Sequence, residues 1–249
     1  MNATFLAEIA VIVLCLAGGG LLKGATGAGA PILAIPALAA FFDVRFAVIV
    51  MLFPNLLTNL WQAVRFRTHI LGWTFMLPLL AGGFLGAGLG TLALKAFDPD
   101  ILSLGVAVAV LFYVVIRLLR PHWSLPMGPA HWLSAPAGLL AGLLQGGTGL
   151  SAPVSITFLN ALRLPRESFI ATISALFVTF SVIQIAIAST NGLIRDNEIF
   201  YSLFALVPVS LAMPLGAALA RKLSPLVLDR IILAVLAMLS AKLLLEAVF

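Results

Sequence analysis

Two eight-residue stretches hold the residues best suited to chemistry. Gly24-Ala25-Thr26-Gly27-Ala28-Gly29-Ala30-Pro31 and Gly146-Gly147-Thr148-Gly149-Leu150-Ser151-Ala152-Pro153 agree at five of eight positions, at a constant offset of 122. At the same offset Gly20 matches Gly142 and Gln62 matches Gln184. Glycine interrupts a helix and proline favours the first turn of the next, so each stretch reads as a helix end, a break and the start of a second helix. The first N–H groups of that second helix have no partner within it, and its dipole is positive there, a combination that attracts anions. Gly27 and Gly149 offer backbone N–H groups at the breaks, while Thr26, Thr148 and Ser151 add hydroxyl donors. Lys23 adds a full charge beside the first copy. Its repeat partner is Gln145, so a bound anion would sit off centre.

Each feature also has a plainer reading. Glycines four apart, as in Gly20/Gly24, Gly82/Gly86/Gly90 and Gly138/Gly142/Gly146, let helices pack closely. A lysine near a helix end can extend its ammonium to the membrane surface. Asn55, Asn59 and Gln62 share one helical face, as do Ser174, Ser181 and Gln184 in the second copy. Such stripes either line a pathway or form interhelical hydrogen bonds of about 1 kcal/mol each.

Other chemistry is missing. Glu8, Asp43, Asp98, Asp100, Glu167, Asp196, Glu198, Asp229 and Glu246 all fall at or near the ends of apolar segments, so no carboxylate relay crosses the interior. The single Cys15 excludes an internal disulfide, and His69, His122 and His131 lack metal-ligand spacing. No metal, no cofactor and no enzyme activity are expected, since no paired acid or activated nucleophile is present. Expelling an anion from a negative-inside cell gains about 2.3 kcal/mol per charge per 100 mV, so the membrane potential suffices as a driving force.

The elements that must position these residues follow from composition. Of the 249 residues 62% are hydrophobic and 9% charged, against about 25% charged in soluble domains, so the surface must meet lipid. Basic residues sit singly or in pairs at segment ends, where they report topology and not nucleic-acid binding. Residues 1–20 lack a basic flank and carry Glu8, which argues for a retained helix over a cleaved leader. Apolar runs predict ten segments, at 5–22, 28–42, 46–64, 71–94, 101–119, 131–145, 150–163, 167–189, 198–220 and 226–248. They divide into repeats at 1–120 and 131–249, joined by a cytoplasmic linker at 121–130. After Pro31 and Pro153 too few apolar residues remain to cross a bilayer, which predicts re-entrant half-helices. If each broken pair returns to its starting side, basic residues divide nine to four between the faces, and seven to six otherwise. The positive-inside rule favours the first arrangement. The expected fold is therefore an all-α integral membrane protein with two inverted-topology repeats, each a glycine-rich broken or re-entrant pair plus three transmembrane helices, with both termini outside. In the later segments the offset grows to 130, pairing Leu85-Gly86-Ala87 with Leu215-Gly216-Ala217. Duplicated, interrupted segments are the mark of a secondary transporter with its site at the repeat interface.

The stretches GATGAGAPILAIPAL and GGTGLSAPVSITFL, the turns FFDVRFA and LRLPRES, and LLAGGFLGAGLG resemble the sulfite exporter TauE/SafE family over nearly the whole chain. That resemblance implies a prokaryotic cytoplasmic membrane transporter for sulfite, sulfoacetate or related small anions. Export of sulfite or a small organosulfonate is the expected activity; import of such an anion, or a non-transporting scaffold, is the alternative. Small anions and lipid are the expected partners, with no nucleic acid, and a homo-oligomer is allowed though not read from the sequence.

Overall fold

The computed structural model describes residues 3–119, 124–222 and 225–248. Arg120, His122 and part of the linker expected at 121–130 lie outside the described residues, as do the two chain ends and the side chains of Asp196, Asp229 and Glu246. All regular elements described are helices: α1 (Ala3–Thr26), α2 (Ala30–Ala39), α3 (Val44–Val50), α4 (Leu52–Arg65), α5 (Trp73–Ala96), α6 (Pro99–Leu119), α7 (Met127–Thr148), α8 (Ala152–Ala161), α9 (Arg166–Thr190), α10 (Asp196–Lys222) and α11 (Pro225–Val248). Among the described residues six spans are long and apolar enough to cross a membrane, one of them α3 and α4 together. α2 and α8 have ten residues each. At 1.5 Å per residue each reaches only about half the hydrocarbon thickness, as their sequences predict.

The breaks are made by backbone that favours glycine. Gly27 and Gly29 have φ of 84° and 97°, and Gly149 has φ of 72°. A side chain there would be strained by conformation, and a Cβ on Gly149 would also strike Ile35. The helices preceding the breaks run further than the apolar runs suggest, so Lys23 lies within the last turn of α1 and not at the break itself. The segment expected as one helix at 46–64 is interrupted at Met51. Pro54 has no N–H to give Val50, and the Ser202 hydroxyl of α10 fills the gap, donating to the Val50 carbonyl at 2.9 Å while accepting from the Phe53 N–H at 3.2 Å.

Helix pairing repeats between the halves. α7 packs along α5 in the most extensive interface, and its counterpart α1 packs along α10 in the next. Both pairs run parallel, and both depend on missing side chains. A Cβ on Gly86, Gly138, Gly142 or Gly146 would collide with the backbone of the opposite helix, as would one on Gly20, Gly24 or Gly216. The packing reading of these glycines is therefore correct. It also corrects the later repeat offset. Gly142 meets Gly83 where Gly20 meets Val209, and Gly146 meets Ala87 where Gly24 meets Met213. The structural offset between α5 and α10 is thus 126, pairing Gly90 with Gly216, one helical turn from the 130 suggested by matching Gly86 with Gly216.

At the centre α4 lies against α9, and α6 against α11. Asn55 meets Ser181 and Gln62 meets Ser174, so α4 and its repeat-equivalent α9 cross antiparallel.

Candidate functional site

Among the described residues Lys23 is the one buried charged side chain, with 0% of its surface exposed. Its ammonium turns inward and donates to Asn59 Oδ1 at 2.7 Å, which excludes the alternative of an ammonium extended to the membrane surface. Asn59 is held in turn by Asn55, its Nδ2 donating to the Asn55 side-chain and main-chain oxygens at 2.8 and 2.7 Å. Asn55 Nδ2 then donates to Ser181 Oγ at 3.1 Å. The polar stripe of α4 is thus a relay of hydrogen bonds from the first break to α9. An ammonium has three protons to donate, and among the described residues Lys23 places one of them. No aspartate or glutamate is buried among the described residues. A buried charge without a counter-ion is costly, so this lysine leaves room for an anion by both charge and hydrogen-bond count.

Beside Lys23 lies a cavity of about 610 Å³ bounded by α1, α4, α9 and α10. It is lined by Lys23, Gly24, Gly27 and Gln62, by apolar residues including Trp61, Ile170 and Met213, and by Phe66, Arg166 and Ala217 near the ends of their helices. Because Lys23 has no exposed surface, an entering anion would meet Gly24, Gly27 and Gln62 first. Gln62 Oε1 accepts from Ser174 at 3.3 Å.

The second break is arranged differently. Ser151 Oγ donates to Gln145 Oε1 at 2.8 Å, and Gln184 Nε2 donates to the Gln145 carbonyl at 3.0 Å. Gln184 Oε1 is buried without a partner. The threonine hydroxyls are occupied locally: Thr26 Oγ1 donates to the Leu22 carbonyl and lies against that of Ala28, while Thr148 Oγ1 donates to Leu144 and accepts from the Leu150 N–H. They finish their helices, as Ser and Thr hydroxyls commonly do when they hydrogen-bond back to the preceding turn.

The structure therefore gathers Lys23, Asn55, Asn59 and Ser181 into one network, and Gln145, Ser151 and Gln184 into another. Gly27 and Gln62 border the open cavity; Gly149 borders a closed cleft with Asn55 and Gln184. Ser155, Thr58, Arg166 and Ser210 escaped the reading of the sequence. Thr58 shares the stripe of α4, three residues after Asn55, and that spacing could have found it; Ser210 and Arg166 enter through tertiary packing.

Against descriptions of known protein families, residues 11–243 match the one described as Sulfite exporter TauE/SafE. Searches of curated proteins and of solved structures returned no match. A match over nearly the full length, on a helical fold with two glycine breaks, means that this chain belongs to the sulfite exporter TauE/SafE family.

Proposed function

We propose that this protein is a secondary transporter that moves small anions across the cytoplasmic membrane, exporting sulfite or a small organosulfonate such as sulfoacetate. One observation carries the reading: the fully buried Lys23, short of hydrogen-bond acceptors and with no buried carboxylate among the described residues, lines a cavity of about 610 Å³ beside the first helix break. Family membership supports anion transport. The binding region proposed comprises Lys23, Gly27, Asn55, Asn59, Gln62 and Ser181, with Thr26 closing the helix behind it and Thr148, Gly149, Ser151 and Gln184 forming the second half of the pathway.

The arrangement proposed is a pair of inverted repeats with both termini outside. The antiparallel crossing of α4 and α9 supports it, because a two-fold axis that exchanges two antiparallel spanning helices lies in the membrane plane. The cavity is proposed to open where α4 and α10 end and α9 begins, because Phe66, Arg166 and Ala217 near those helix ends line it; Arg65, Arg221 and Lys222 belong to the same helix ends. By the positive-inside rule that is the cytoplasmic face, from which an exporter loads. The test is flux from proteoliposomes loaded with sulfite or sulfoacetate at clamped voltage. Efflux that rises as the loaded side is made more negative is expected. No voltage-responsive flux of either anion would reject the reading, and movement only against that gradient would indicate import.

A further inference from the structure

The open cavity has a collapsed counterpart at the other end of the pathway. Displaced by 122 residues, Lys23, Gly27 and Gln62 become Gln145, Gly149 and Gln184, and Ile170 becomes Val48. All four counterparts line one cleft, which has no room for a water molecule. One difference is a hydrogen bond of the equivalent glutamines. In the collapsed copy Gln184 Nε2 donates to the carbonyl of Gln145, the residue whose carbonyl also closes the last turn of α7 with Gly149. In the open copy the Lys23 carbonyl closes α1 with Gly27 in the same way, but Gln62 borders the cavity and accepts from Ser174 instead. Gln184 Oε1, in a residue 1% exposed, has no partner in the collapsed cleft. A polar atom left so is expected where water enters in another state.

The outer ends differ too. Arg45, the second residue of α3, ties that helix to the end of α5: its Nε donates to the Leu94 carbonyl at 3.0 Å and its Nη2 to that of Phe97 at 2.5 Å. Lys95 Nζ donates to Asn191 Oδ1 at 3.0 Å, tying α5 to the end of α9. The counterpart of Arg45, as second residue of α9, is Glu167, and the 126-residue register sets Arg221 opposite Lys95. At that end, among the described residues, no ion pair joins Glu167 to Arg221 or Lys222.

We infer that the collapsed cleft is a second vestibule for the same anion, opening to the opposite face, and that the two vestibules have separate latches. Arg45 and Lys95 hold the second shut in this structure; Glu167 with Arg221 or Lys222 holds the first shut when the second opens. The inference rests on the transport reading, and its test needs no substrate, so the two can fail separately. In a Cys15→Ser chain reconstituted in vesicles, Ser210→Cys reports the open cavity and Val48→Cys the collapsed cleft, each labelled by an anionic, membrane-impermeant thiol reagent. Arg45→Ala removes charge-assisted hydrogen bonds and should raise labelling of Val48→Cys by about tenfold while lowering that of Ser210→Cys. Glu167→Gln removes an exposed ion pair of the alternate state and should do the reverse, by about threefold. Reciprocal changes support two latched vestibules. Unchanged labelling, or a joint rise at both reporters, overturns them.

Discussion

Lys23 and Asn59 concentrate the residue-scale question, since a lysine carried into a bilayer must either reach water or find partners. Here it finds a single amide oxygen, itself braced by Asn55 and Ser181. If Lys23 binds the anion as proposed, the aligned neighbouring amides limit the reorganisation required. Replacing Lys23 by Met keeps the apolar length and deletes the charge. The variant should bind sulfite or sulfoacetate about ten- to a hundredfold more weakly, the loss expected for a hydrogen bond to a charged group. Its unfolding temperature without ligand should be unchanged or raised, because an unpaired buried charge has been removed. Calorimetry and thermal unfolding of the purified protein check both, and wild-type affinity would remove Lys23 from the site.

At the scale of elements, the parallel pairs α5/α7 and α1/α10 owe their closeness to glycine. Gly142 faces the backbone of Gly83 and Ala87, so Gly142→Ala must push two helices apart. The expected cost is about 1–3 kcal/mol, the usual penalty for overfilling a packed interface. Gly128→Ala, also in α7 but with nothing within 4 Å of the added methyl, should cost nothing and gain slightly in helix propensity. Unfolding midpoints of the two variants in the same detergent make the comparison. Equal midpoints would show that close packing of α5 on α7 contributes little to stability.

For the whole molecule, the prediction is orientation. The division of nine basic residues against four, with Lys23 in neither group, predicts both termini outside the cytoplasm. A reporter active only in the cytoplasm and fused after Phe249 should stay silent, and strong activity would contradict the inverted arrangement. α10 packs less extensively on α1 than α5 does on α7, and α10 contributes Leu206, Ser210, Met213, Pro214 and Ala217 to the open cavity.

Much of this was written in the sequence because lipid leaves a chain few choices. Apolar runs must become helices, since hydrocarbon satisfies no backbone group, and a run of ten residues after Pro31 or Pro153 can only be a half-helix. Duplication was legible from Gly24-to-Pro31 against Gly146-to-Pro153, as were the breaks, because the left-handed backbone at Gly27, Gly29 and Gly149 favours glycine. What tertiary packing decided was direction and register. Whether Lys23 points to the surface or to Asn59 depends on α4, thirty-six residues away along the chain. The interruption at Met51 needed Ser202 from α10 to supply what Pro54 cannot. The offset of 126 emerges only from which carbonyl each glycine faces. Most of all, two motifs that agree at five of eight positions line one open cavity and one closed cleft. Local sequence makes each break, but contacts between distant helices, among them the hydrogen bond that Gln184 makes to the Gln145 carbonyl and Gln62 does not make to that of Lys23, distinguish the two.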